Sequence, residues 1–145
     1  MAYNRGHLLT YEECERLMET ARSRDRGKPL ANNTRLFDRG DCFALQLHNT
    51  DIIRVFPDGW VLNSGRWQTV TTKQRLNDWG PVGISQRDFV WYVGTPDGDR
   101  YFIGDRHFID GIFVAKTDRT VWDSRARYLH SLTLSQPEDT SEVVE

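Results

Sequence analysis

Pro-Asp-Gly occurs twice in this chain, at Pro57-Asp58-Gly59 directly after an apolar, strand-like run and at Pro96-Asp97-Gly98 shortly after another, with Gly94-Thr95 between. Proline pre-sets φ at an early turn position and glycine supplies the conformation that closes the turn, so each tripeptide ends one strand and begins the next. Asp51–Phe56 and Trp60–Leu62 flank the first turn, and Phe89–Val93 and Arg100–Ile103 flank the second. A segment spanning residues 28–115 that carries two such hairpins is directed to an antiparallel, β-rich fold.

The remaining periodicity fills in that fold. Thr34–Phe37 and Cys42–Leu47 alternate on either side of Asp38-Arg39-Gly40-Asp41, which is turn chemistry. Val82–Ser85 and Ile112–Ala115 read as further strands, and Tyr128–Leu134 as an edge strand. Thr10 with Glu13 forms a capping box for an N-terminal helix over about residues 10–26, with Cys14, Leu17, Met18 and Ala21 on its apolar stripe. Arg22, Arg24, Arg26 and Lys28 crowd its end, where cations suit the helix dipole, and Gly27 and Pro29 stop it. Thr71 with Gln74 forms a second capping box, opening a short helix over Thr72–Asp78. The expected fold is α+β, an antiparallel sheet or small open barrel of about six to eight strands with these two helices. Residues 1–136 are expected to be one domain, followed by an acidic tail over 137–145. The two hairpins match loosely in sequence, and shared hairpin grammar accounts for that better than duplication does.

A length of 145 residues suits one domain with a real core, and 12% aromatic content gives that core large side chains. The net charge of −2 argues against a strongly basic nucleic-acid protein, while leaving room for a local basic face. No run of about 18 apolar residues appears, so no membrane partner is expected. The N-terminus lacks a secretory pattern, and Cys14 and Cys42 read as buried free thiols of a cytoplasmic protein.

Several short motifs recur in a recognisable order: Leu47-His48-Asn49-Thr50-Asp51, Pro57-Asp58-Gly59, Asn63-Ser64-Gly65, Trp67 with Thr69-Val70-Thr71-Thr72-Lys73, Arg75 with Asn77, and Phe108 with Asp110-Gly111. Over about residues 28–111 this pattern resembles a group of small uncharacterised proteins of bacteriophages and related mobile elements. The resemblance implies a phage accessory setting in a host cell. It brings no activity and no functional residues.

Two constellations carry chemistry. At the start of the second helix, free backbone N–H groups, the Thr71 and Thr72 hydroxyls, Lys73, and nearby Arg66 and Arg75 suit a phosphate, with Trp60 or Trp67 as a stacking face for a base. An ordinary capped helix explains the same residues. His48 with Asp51 offers a general base and its orienting carboxylate, and with His107 and Asp110 it would make a divalent-metal set for a nucleic-acid hydrolase. Turn chemistry explains His48–Asp51 as well, and no metal-ligand spacing supports the larger set. No phosphate-loop or dinucleotide glycine pattern occurs, so no cofactor is expected. The leading expectation is therefore a non-enzymatic binding protein whose partner is a host or phage protein, nucleic acid or a nucleotide. The alternatives are the hydrolase and a virion structural or assembly protein whose acidic tail and aromatic sheet make the contacts, self-association included.

Overall fold

The computed structural model describes residues 7–94, 96–97, 100–101 and 106–135. The fold is α+β, with mostly antiparallel sheets. Helix α1 (Tyr11–Glu19) precedes β1 (Lys28–Ala31), β2 (Thr34–Asp38), β3 (Phe43–Leu47), β4 (Thr50–Phe56) and β5 (Gly59–Leu62). Helix α2 (Val70–Trp79) leads to β6 (Gly83–Arg87), β7 (Val90–Gly94), β8 (Pro96–Asp97), β9 (Arg100–Tyr101), β10 (Arg106–His107), β11 (Ile112–Ala115) and β12 (Val121–Trp122). Helix α3 (Arg125–Ser135) follows.

The main sheet has seven strands in the order β1-β2-β3-β4-β5-β11-β12, so β1–β5 form a meander and β11 returns beside β5. Its inner face carries Leu36, Leu45, Ile53, Val55, Trp60, Leu62, Ile112 and Val114, all buried. Cys14 and Met18 of α1, Leu76 and Trp79 of α2, and Ile84, Trp91 and Val93 of the smaller β10-β7-β6 sheet join the same core. The layers are tied by buried polar contacts: Trp60 Nε1 donates to the Leu9 carbonyl at 2.7 Å, and the Leu9 N–H donates to the Trp79 carbonyl at 3.1 Å. The Asn77 side chain accepts from the Ile84 N–H at 2.6 Å and donates to the Ile84 carbonyl at 3.2 Å, fixing α2 to β6.

One irregularity decides which way a candidate residue faces. Leu45 pairs with Ile53 but Gln46 pairs with Asp51, so Ile52 is the extra residue of a β-bulge. Ile52 and Ile53 are therefore both buried, and Asp51 turns to the outer face. There Arg39 grips its carboxylate through two bonds of 2.8 and 3.2 Å, with Arg54 Nη2 at 3.4 Å.

The structure corrects five local expectations. First, α1 stops at Glu19, where the Thr20 N–H donates to the Leu17 carbonyl and the Ala21 N–H to the Met18 carbonyl; residues 22–27 form turns instead. Second, the Glu13 carboxylate pairs with His7 while Thr10 caps the Glu13 N–H. Third, α2 begins at Val70 because Thr69, not Thr71, is its cap, accepting from the Thr72 N–H at 3.1 Å. Fourth, β7 does not close a hairpin through the second Pro-Asp-Gly. It pairs with β6 across Asp88-Phe89 and with β10 on its other side, while among the described residues β8 and β9 pair with each other; Gly98 and Ile103 lie outside the described residues. Fifth, Tyr128–Leu134 is helical. Ser124 accepts from the Arg127 N–H through its hydroxyl and from the Tyr128 N–H through its carbonyl. The resulting helix lays Tyr128 on Phe113, 4.8 Å between ring centres, on the outer face of the main sheet. The acidic tail lies outside the described residues.

Candidate functional site

The β3–β4 connection is a two-residue turn, since Leu47 pairs with Thr50 and His48 has a φ of 55°. Its N–H donates to the Asn33 carbonyl at 2.8 Å, which fixes the turn against the neighbouring β1–β2 turn. Opposite stands the segment that leads from β5 into α2. Asn63 Oδ1 accepts from the Gly65 N–H at 2.7 Å. Gly65, at a φ of 63°, lies so close to Thr50 that an added Cβ would come within 2.6 Å of its methyl group. Asp110 secures the same loop, accepting from the Ser64 N–H at 2.7 Å and the Ser64 hydroxyl at 2.8 Å.

Between these two walls opens a cleft of about 520 Å3, lined by His48, Asn49, Thr50, Trp67, Thr69, Thr71 and Thr72 over a floor of Leu47 and Ile52. Trp67 is 68% exposed at this cleft, so its indole presents an accessible aromatic face. The first turn of α2 leaves the Val70 and Thr71 N–H groups without intrahelical partners. An exposed indole, hydroxyls, an amide and an imidazole around an apolar floor suit a planar ligand with a polar substituent.

The cleft gathers residues from both constellations read in the sequence: His48 from one, and Trp67, Thr71 and Thr72 from the other. Thr72 serves the cap, its N–H and hydroxyl both engaged by Thr69. Arg75 reaches the Thr34 hydroxyl at 3.1 Å and lies 5.9 Å from the Trp79 ring centre, so it braces α2 on β2. Arg66 and Lys73 do not line the cleft. Trp60 is buried and offers no stacking face. Asn49 and Thr50 read in the sequence as turn residues of the His48–Asp51 stretch, and Thr69 is missed because the spacing puts the helix cap at Thr71.

The four hydrolase residues do not converge. Asp51 is held by Arg39 on the outer face, Asp110 by Ser64, and His107 sits edge-on to Tyr92 in the small sheet. Among the described residues no three His, Cys, Asp or Glu side chains come together as a metal site. Both cysteines are buried and free. Burial, reinforced by Glu13, pushes the Cys14 thiol up to about 12; burial and Asp41 push Cys42 up to about 11. Neither is a thiolate nucleophile at neutral pH. No helix among the described residues is long and apolar enough to cross a membrane.

A family model described as Kyanoviridae Gp96 protein matches residues 13–115, which contain most of α1, the main sheet through β11, and the cleft. No curated protein and no solved structure matches the chain.

Proposed function

The chain belongs to the Kyanoviridae Gp96 family of phage proteins, and from that premise we propose that it is a non-enzymatic accessory protein holding a nucleotide-like ligand in the cleft beside α2. The observation that carries this reading is the exposed Trp67 indole at the mouth of a cleft bounded by the first turn of α2. A base stacks on the indole, and its phosphate meets the N–H groups and hydroxyls of the helix start. Asp51 and Asp110 are engaged in structural bonds, which favours binding over hydrolysis.

Titration with nucleoside monophosphates and triphosphates, followed by tryptophan fluorescence and calorimetry, tests the reading. Stacking contributes about 1–3 kcal/mol per base, so Trp67→Ala is expected to weaken binding roughly tenfold or more, and Thr71→Val by less. Equal affinity in wild type and Trp67→Ala would sink the cleft. Arg75→Ala is expected to lower stability and leave affinity nearly unchanged, because its guanidinium braces β2.

A second reading, an assembly role, has one specific observation behind it. Phe89 stands 91% exposed at the β6–β7 tip with a φ of 66°, a conformation unfavourable for a bulky side chain. A concentration series by light scattering tests it; a strict monomer at high concentration counts against it.

A further inference from the structure

We propose that a second, basic groove, between the turns at residues 22–27 and the β1–β2 hairpin, binds the phosphate backbone of a nucleic acid strand. The groove measures about 570 Å3 and is lined by Arg22, Ser23, Arg26 and Gly27 on one side and by Lys28 and Arg35 on the other. It lies apart from the Trp67 cleft and shares no lining residue with it. Its four cations face a space that no carboxylate lines.

The usual structural reasons for such a cluster do not cover it. Arg22 stands just past the Thr20 cap of α1, which also lines the groove, but Arg26, Lys28 and Arg35 lie beyond the reach of the helix end at Glu19. The one ion pair nearby is Arg24 with Asp38 at 3.1 Å, and Arg24 is not among the lining residues. Asp25 shares the turn but does not line the groove either. Among the described residues the Arg22, Arg26 and Lys28 side chains have no carboxylate partner, and Arg35 is held by a bond to the Arg26 carbonyl at 3.1 Å. Lys28 and Pro29 on the edge strand β1 discourage edge-to-edge pairing, but that role needs neither Arg22 nor Arg26.

The frame holding the cations is fixed. Ser23 accepts from the Arg26 N–H through its hydroxyl at 3.3 Å and from the Gly27 N–H through its carbonyl at 3.0 Å. Gly27 has a φ of 75°, and an added Cβ would lie 2.6 Å from the Leu36 carbonyl, so the turn is pressed onto β2. Like charges held together repel until an anion enters, and guanidinium forks match phosphate oxygens. No aromatic side chain lines the groove, so the contact would follow the backbone and not the base sequence.

The experiment is fluorescence anisotropy of a labelled single-stranded oligodeoxythymidine with the full chain over a salt series. Arg22→Ala/Arg26→Ala is compared with wild type, with Arg127→Glu and with Trp67→Ala. Arg127→Glu changes net charge by the same amount as the double variant, at an exposed site on α3. The double variant is expected to bind roughly tenfold or more weaker, with a salt slope shallower by about 1.4 for two lost phosphate contacts. Arg127→Glu should stay near wild type. Trp67→Ala should keep the salt slope, so the groove and the cleft stand or fall separately. All variants should retain the wild-type unfolding midpoint, because both arginines are exposed. The proposal is overturned if wild type does not bind the oligonucleotide, or if the double variant keeps its affinity and slope. It is also overturned if polyglutamate displaces the oligonucleotide at equal charge concentration, which would mark a surface for acidic proteins.

Discussion

The two Pro-Asp-Gly turns have the same tripeptide and opposite fates. The first closes β4 onto β5 in the middle of the seven-stranded sheet, with Val55 and Trp60 paired and buried beside it. The Asp58 carbonyl accepts from the Lys116 N–H at 2.9 Å, and the Asp58 carboxylate accepts from Arg125 Nε at 3.1 Å, so later segments lock onto this turn. The second sits in a two-residue ladder, Pro96 with Tyr101 and Asp97 with Arg100, separate from both larger sheets. The strand before it, β7, has its two edges filled by β6 and β10. Turn chemistry thus permits a hairpin, and the partners available to the flanking strands decide whether it carries the fold.

Substitution at Gly59 sharpens this contrast most. An added Cβ there would lie 2.2 Å from the Val114 carbonyl and 2.4 Å from the Phe113 ring. Neither neighbour is free to withdraw, since β11 is paired on both sides and Phe113 is under Tyr128. Gly59→Ala is expected to cost about 3 kcal/mol by overpacking, measured by urea unfolding. Arg100→Pro in the β8–β9 ladder should cost about 1 kcal/mol or less, because so short a pairing contributes little to global stability. Equal losses would break the comparison.

The next effect tests the far end of the first hairpin. Asp110→Ala removes the acceptor for both the Ser64 N–H and hydroxyl, and Ser64 is buried. Leaving those donors unsatisfied should cost about 2 kcal/mol, and the cleft should loosen with the loop. Asp110→Asn, which keeps one acceptor oxygen, should recover part of the loss. Asp58→Ala tests the anchor on α3. Its partner Arg125 is partly exposed and also lies 4.2 Å over the Phe56 ring, so solvent screening limits the ion pair to about 0.5–1 kcal/mol. A double-mutant cycle with Arg125→Ala isolates that coupling.

What could be read from the sequence follows the reach of each signal. Thr34–Asp38 is legible because its residues alternate between buried and exposed beside a clear turn, and Ile112–Ala115 because it is a short unbroken apolar run, buried on both faces. Val121–Trp122 and Arg106–His107 are not, being two-residue pairings too short to show a period, and Lys28–Ala31 is not because Pro29 interrupts it. Tyr128–Leu134 alternates like a strand, yet Ser124 supplies a helix cap and the helix seats Tyr128 on Phe113. For the cleft, His48 and the α2 start were each visible, but their meeting depends on the bulge at Ile52 and the seat of Gly65 on Thr50. The same bulge carries Asp51 away to Arg39, which adjacency in sequence conceals.

The smallest predicted effect concerns the hairpin that supplies β7 with its real partner. Asp88 and Phe89 both have positive φ, 51° and 66°, the conformation of a two-residue turn that favours Asn-Gly. A left-handed Phe costs about 1–2 kcal/mol, and glycine gives back about 0.5–1 kcal/mol through the greater freedom of the unfolded chain. Phe89→Gly should therefore stabilise the protein by roughly 0.5 kcal/mol, read as a small rise in the urea midpoint with an unchanged slope. A fall in the midpoint would mean that the ring packs on the fold, and the β6–β7 tip would then resemble the first Pro-Asp-Gly turn in its anchoring. A rise accompanied by the loss of concentration-dependent scattering would instead show what the strained aromatic is kept for: contact with another molecule, at the expense of the hairpin that carries it.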